Sequence, residues 1–364
     1  MKSSNSRQGR RKIFIWIVLG CVALAVGYTS RVLLRANAET IHAQVEAQAQ
    51  GQVTPLSIAE QRELEAIQNQ PHLVFLHQEV PDYGKLTLAS LDPVLSKSVQ
   101  TMFRCDRVYY AAGNGICLLY DTSTAPIGHL APIPVEVMLF GSDLKPRHQF
   151  TVEGTPSRAR ISPDGKYAAF TVFVTGHSYG DANLSTATIL LDTATGKNLG
   201  NLEEFETWKD GRLFQAPDFN FWGVTFARDS NRFYATLQHG NAIYLVQGDI
   251  AARKLTVLHE GIECPALSPD ETRIAFKKRA PSIIPGMMPN WQLTVLDLTT
   301  MKETELAEKD SVDDQVEWLD NNHILYQKDD PDPSKWPSIF VVPADGTGQP
   351  EVLIPSATSP AVVR

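Results

Sequence analysis

The phrase Ser162-Pro163-Asp164-Gly165-Lys166-Tyr167-Ala168-Ala169-Phe170 returns as Ser268-Pro269-Asp270-Glu271-Thr272-Arg273-Ile274-Ala275-Phe276. A polar turn feeding an apolar strand, repeated at blade-sized intervals, is the signature of a β-propeller. Two further units keep the pattern with other letters: Ala227-Arg228-Asp229-Ser230 before Arg232-Phe233-Tyr234-Ala235, and Leu319-Asp320-Asn321-Asn322 before His323-Ile324-Leu325-Tyr326. Each continues into a later apolar strand, at 187–192, 242–246, 293–297 and 339–342. Asp and Gly suit the turns because they accept tight conformations and bond locally to the backbone.

Two more units are degenerate. Met102-Phe103-Arg104-Cys105-Asp106 leads into Arg107-Val108-Tyr109-Tyr110, with an apolar strand later at 135–140. The first unit, 72–92, has Leu73-Val74-Phe75-Leu76 and Leu86-Thr87-Leu88-Ala89 but no innermost strand ahead of them. Ser359-Pro360-Ala361-Val362-Val363-Arg364 reads as the opening strand of a blade that does not follow. The expectation is an all-β domain over 71–364 with six blades rather than seven, in which strand 359–364 supplies the inner strand of the first blade and closes the ring.

Ahead of the propeller, Lys2, Arg7, Arg10, Arg11 and Lys12 stand without an acid, and an apolar run follows from Ile13 to about Tyr28. This pattern implies a cytoplasmic basic segment, 1–12, and a transmembrane signal-anchor over 13–34, with everything after it outside the cytoplasm. Ala23-Leu24-Ala25 and Ala36-Asn37-Ala38 have the small-x-small form of a cleavage site, so a cleaved signal peptide is the alternative. Residues 35–70 turn to Ala, Gln and Glu, and Ser57-Ile58-Ala59-Glu60 reads as a capping box opening a helix through about Ile67, a short helical stalk or linker. The expected location is the cytoplasmic membrane, single-pass, with the propeller periplasmic or extracellular.

Residues 1–38 hold seven basic side chains and no acid, so the remainder carries 26 basic against 41 acidic residues, a formal charge of −15. Such a field repels phosphate backbones, which argues against a nucleic-acid partner. Cys105 and Cys117 are close in sequence in a chain expected where disulfides form. A hairpin turning about Asn114-Gly115 would set Cys117 opposite a residue near Ala112, well over ~15 Å from Cys105 at the rise of a strand. That register weighs against a Cys105–Cys117 bridge.

The Ser-Pro-Asp-Gly turn, the Ile-Ala-Phe strand and the later apolar strand ending in Asp resemble the repeats of TolB-like β-propellers over about residues 72–364. The chain as a whole looks like the membrane-anchored bacterial proteins of that kind, with an anchor and stalk where the family's namesake has an α/β domain. The resemblance implies a fold, and such repeats serve scaffolds, peptidases and lyases alike.

Chemistry is sparse. No Gly-rich phosphate loop, His-Glu-x-x-His or pair of Cys-x-x-Cys motifs occurs, and a peptidase would need a separate α/β-hydrolase domain with a Gly-x-Ser-x-Gly nucleophile elbow, a pentapeptide not expected in this chain. Asp329, Asp330 and Asp332 lack the register of a calcium loop and read as a solvated acidic loop. The aromatic run Asp218-Phe219-Asn220-Phe221-Trp222-Gly223 reads as packing between blades. No cofactor and no metal is expected. In a propeller the connections between second and third strands converge on one face. The uneven ones here are 176–185, with His177, Tyr179 and Asp181, and 277–290, with Ile283, Ile284, Met287 and Met288; flexible apolar side chains in the latter suit a protein-binding surface. The expected function is a membrane-tethered binding or scaffold module for an envelope or extracellular protein, not an enzyme. The alternative is a carbohydrate-active lyase or hydrolase that takes a glycan in the central funnel.

Overall fold

The structure, a computed structural model, describes residues 56–120, 134–176, 179–180, 184–280, 289–330, 332 and 334–364. The expected segments 1–12 and 13–34, and the linker as far as residue 55, lie outside the described residues. Among those described, no helix is long and apolar enough to cross a membrane.

Six sheets, antiparallel except for one added pair at the outer edge of the fourth, follow one another around a ring. Blade 1 contains β1 (His72–His77), β2 (Lys85–Leu91) and β3 (Val94–Arg104); blade 2 is β4 (Arg107–Ala111), β5 (Asn114–Tyr120), β6 (Pro134–Gly141) and β7 (Pro146–Glu153). Blade 3 is β8 (Thr155–Ile161), β9 (Tyr167–Thr175), β10 (Ser185–Asp192) and β11 (Asn198–Asn201). The short strands β12 (Glu206–Lys209) and β13 (Arg212–Leu213) then extend the outer edge of blade 4, which is β14 (Asn220–Phe226), β15 (Arg232–His239), β16 (Ala242–Asp249) and β17 (Lys254–Glu260). Blade 5 is β18 (Glu263–Leu267), β19 (Arg273–Ala280), β20 (Asn290–Asp297) and β21 (Glu303–Glu305); blade 6 is β22 (Glu317–Trp318), β23 (His323–Lys328), β24 (Ser338–Pro343) and β25 (Glu351–Ile354).

The last strand, β26 (Ala357–Val363), pairs antiparallel with β1 in the register His72 to Val363, Leu73 to Val362 and Val74 to Ala361. The expected closure is therefore present, and blade 1 takes its inner strand from the other end of the chain. Removing this edge also removes an unpaired strand that could template aggregation.

The repeated turn owes its letters to hydrogen bonds. Ser162 Oγ donates to Asp164 Oδ1 (2.8 Å) and accepts from Tyr167 N (2.9 Å), while Lys166 N donates to the same Asp164 oxygen (3.0 Å). Ser268, Asp270, Thr272 and Arg273 repeat the arrangement at 2.6, 3.1 and 3.0 Å. Gly165 at φ +75° and Glu271 at φ +60° occupy the same left-handed position. Glu271 is held in this unfavourable region while its carboxylate accepts from Arg228 N (2.6 Å) and Arg232 Nη2 (2.9 Å).

Two features depart from expectation. The capping box is present in both directions, Ser57 N to Glu60 Oε2 (2.7 Å) and Glu60 N to Ser57 Oγ (3.2 Å), and opens α1 (Ile58–Gln68). The helix lies on the propeller wall: Ile67 is buried among Val99, Leu88 and Phe140, and Gln68 Nε2 reaches Ser142 O (2.8 Å). Burying a side chain of that size stabilises by about 2 kcal/mol.

The second departure is a correction: Cys105 and Cys117 form a disulfide, with Cα atoms 5.6 Å apart. The hairpin turns at Ala112-Gly113, both at positive φ, so Cys117 faces Val108, three residues from Cys105. Asn114-Gly115 is not the turn. Gly115 sits in β5, where an added Cβ would fall 2.1 Å from the ring of Phe140.

Candidate functional site in the central channel

The inner strands β26, β4, β8, β14, β18 and β22 surround the channel. Its middle is filled by the irregular segment that leads into β22, residues 312–316, together with Glu317. Gln315 Nε2 donates to Val224 O of blade 4 and to Pro265 O of blade 5, both at 2.9 Å. From blade 3, Arg158 Nη2 donates to Asp313 O (3.2 Å) and Arg160 Nη2 to Val316 O (2.7 Å). Tyr109 of blade 2 donates to Glu317 Oε2 (3.1 Å). Gln327 of β23 completes the set: its Oε1 accepts from Arg107 Nη1 of blade 2 (3.0 Å) and Ser359 N of blade 1 (3.2 Å). Blade 6 thus bonds to every other blade across the axis.

At the end of the channel where second and third strands connect, Lys277 is fully buried. Its ammonium bonds Asp313, lies 3.9 Å from Glu263, and faces the rings of Tyr179 at 4.4 Å and Trp291 at 4.3 Å. Glu263, equally buried, accepts from Arg279 and from Trp291 Nε1 (3.1 Å). Burial pushes the Asp313 carboxyl up, but Lys277 and Arg158 outweigh it and hold the group below the usual carboxylate range. Tyr179 closes this mouth: it stacks on Trp222 at 4.7 Å, lies 5.2 Å from Arg158, and its carbonyl accepts from Arg279 Nη2 (2.7 Å). Burial raises the Tyr179 phenol, which stays neutral.

At the opposite end, where the Ser-Pro-Asp turns lie, Glu317 is flanked by Arg160 at 3.5 Å and Arg364 at 4.0 Å. Burial raises its carboxyl above the ordinary value despite both guanidinium groups. A cavity of about 320 Å³ opens here, with Tyr109, Trp318, Phe226 and Val363 among its walls.

Of the loop residues singled out in the sequence, Tyr179 is in the network. His177, Asp181, Ile283, Ile284, Met287 and Met288 lie outside the described residues. The aromatic run is packed core, with Phe219, Phe221 and Trp222 all buried. In the acidic loop, Asp332 accepts from Ser334 N (3.0 Å) and Asp330 lies 3.6 Å from Lys335. Among the described residues, no group of three or more His, Cys, Asp or Glu side chains is placed to hold a metal ion.

The expectation that a nucleophile-elbow motif has no place in this chain needs correcting. Gly176-His177-Ser178-Tyr179-Gly180 has the Gly-x-Ser-x-Gly spelling. Its setting differs from an elbow, which sits on a strand-to-helix turn; here the pentapeptide falls in sequence between β9 and β10, two antiparallel strands of one blade.

The charged residues Arg158, Arg160, Glu263, Lys277, Asp313 and Glu317 carry the channel and were not singled out in the sequence. Their one signal is a charge at a position where sister repeats place an apolar or small residue, as in Arg158-Ala159-Arg160 ahead of Ile161-Ser162.

No family model and no curated protein matches the sequence. Among solved structures, TolB from Acinetobacter baumannii superposes with a TM-score of 0.53 at 14% identity, over 81% of this chain and 66% of that one, so the chain spans just under two thirds of TolB's length. A chain of the nidogen/laminin complex superposes with a TM-score of 0.52 at 9% identity, over 80% of this chain and 98% of that one. At such identities the likeness is one of architecture, and the architecture is that of a TolB-like six-bladed β-propeller.

Proposed function

We propose that the protein is a membrane-tethered, extracytoplasmic propeller that binds a protein of the cell envelope and performs no catalysis. The observation that supports this most is the filled channel. A funnel enzyme needs convergent side chains free to meet substrate, whereas here segment 312–317 occupies the axis and Lys277, Glu263 and Asp313 are paired within the channel wall. The basic-then-apolar N-terminus supports tethering, and the −15 charge of the rest supports a partner other than nucleic acid. Crosslinking the full chain in native membranes, followed by mass spectrometry, tests the reading: one dominant envelope protein is expected, and robust turnover of a polysaccharide by the purified chain would sink it.

A hydrolase reading is favoured by one feature, the Gly-x-Ser-x-Gly spelling around Ser178. A fluorophosphonate probe decides between them. Labelling that disappears in Ser178→Ala would establish a reactive serine, and no labelling is expected.

A further inference from the structure

Midway along the channel, between the two charged ends, a small, partly open space of about 30 Å³ is lined by Arg107, Ser157, Arg158, Arg160, Asp314 and Gln315, with β26 completing the wall. We propose that this space binds one small monovalent anion of chloride size.

The lining is unbalanced in charge. Three arginines line it against a single acidic residue, Asp314. The two other acids nearby are shared: Asp313 lies 3.5 Å from Arg158 but bonds Lys277, and Glu317 lies 3.5 Å from Arg160 but also faces Arg364. Buried positive charge without a counterion costs free energy steeply, because the desolvation it suffers is not offset by a partner. Burial and the like charge of Arg158 hold Arg107 below its ordinary pKa although Asp314 and Asp106 pull it up, whereas for Arg158 burial is outweighed by neighbours that include Asp314 and Asp313.

The hydrogen-bond account points to the same place. Arg158 is 7% exposed and uses Nη1 on Ser157 O (3.0 Å) and Nη2 on Asp313 O (3.2 Å), yet its Nε has no partner. A buried donor in that state demands an acceptor. Ser157 Oγ and Tyr179 Oη are bonded to each other at 2.5 Å; when the phenol donates, the serine hydroxyl hydrogen is free to point at the anion. Gln315 commits Nε2 to Val224 O and Pro265 O and leaves Oε1 unpartnered. That orphan acceptor favours a water molecule as the competing occupant, and the space is roomy enough to hold one. The three arginines on the lining and the orphan Arg158 Nε donor favour the anion over water.

The bound anion would join blades 2 and 3 to the blade 6 segment, so its effect should be read as stability. Full-chain protein is melted in sodium chloride and in sodium gluconate at equal ionic strength, and crystals grown in sodium bromide are examined for anomalous scattering. The expected result is a melting midpoint that rises with chloride and saturates, with bromide density against Arg158 Nε. Arg158→Met should weaken chloride's effect at least about tenfold, the worth of one charge-assisted hydrogen bond. Should that variant fail to fold, Arg107→Gln should do the same. Identical midpoints in chloride and gluconate, or a space holding only water in bromide, would overturn the proposal.

Discussion

Asp313 and Glu317 stand four residues apart on one segment, at opposite ends of the channel, and their surroundings treat them oppositely. Asp313 is about one-third exposed (35%) and has a lysine in direct contact; Glu317 is 7% exposed and has two arginines, at 3.5 and 4.0 Å. The first carboxyl is lowered and the second raised. The number of countercharges does not decide ionisation. What decides is how much water the acid gives up and how closely the cation replaces it.

The comparison can be broken most severely by removing residues 358–364. This deletes nearly all of β26, the Ser359 bond to Gln327 and the Arg364 flank of Glu317, so both ends should loosen together and the melting midpoint fall sharply. An unchanged melting curve would show that β1 does not need its partner. Next in size is Lys277→Met, which leaves Glu263 and Asp313 without their shared cation. Orphaning a buried partner costs about 3–5 kcal/mol, and the loss in chemical denaturation should fall at the lower end of that range because Arg279 still bonds Glu263 and Arg158 still lies near Asp313. The same change to Arg364 should cost far less, because it is 41% exposed and no closer than 4.0 Å to Glu317. Away from the channel, the double change Cys105→Ala with Cys117→Ala releases a 12-residue separation and should cost about 3 kcal/mol, leaving the difference between the two ends intact.

The smallest effects have opposite signs in pH. Asp313's contribution is present above its unfolded value near 3.8 and is lost as pH falls through its lowered folded value. Asp313→Asn should therefore be less stable than the parent at neutral pH, by about 1 kcal/mol given its exposure, and converge with it in acid. Glu317's folded value lies above 4.5, so its charged form is disfavoured; the cost is absent below 4.5, grows as pH rises to the folded value, and is constant beyond. Glu317→Gln should match the parent in acid and be as stable or slightly more so at neutral pH, within about 1 kcal/mol. A large loss at neutral pH would mean that Arg160 and Arg364 stabilise the carboxylate after all.

Much of the fold was legible because it depends on local chemistry. Ser162 and Asp164 announce their turn by bonding within five residues, and Ser57 with Glu60 announces a helix start. The closing strand was legible because the first unit lacks an inner strand and the last strand lacks a blade of its own. The hairpin at Cys117 was not legible because Asn-Gly favours a two-residue turn, while in this chain Gly115 clears space for Phe140 and Asn114 Oδ1 holds Arg147 Nη1 at 2.9 Å. The docking of α1 was not legible, since a weakly apolar helix does not say what Ile67 meets. The channel was least legible of all. Arg158 and Asp313 are 155 residues apart, and nothing local to either indicates the other.

A ring of repeats that touch only their neighbours unfolds as a chain of nearly independent links, and opening can begin at any blade. Gln315 changes this, because its one amide group ties blade 6 to blades 4 and 5 at once. Freeing blade 4 therefore strains blade 6 as well, and the molecule should behave as a spoked wheel that fails as a unit, with amides of β8, β14 and β18 exchanging only through global opening.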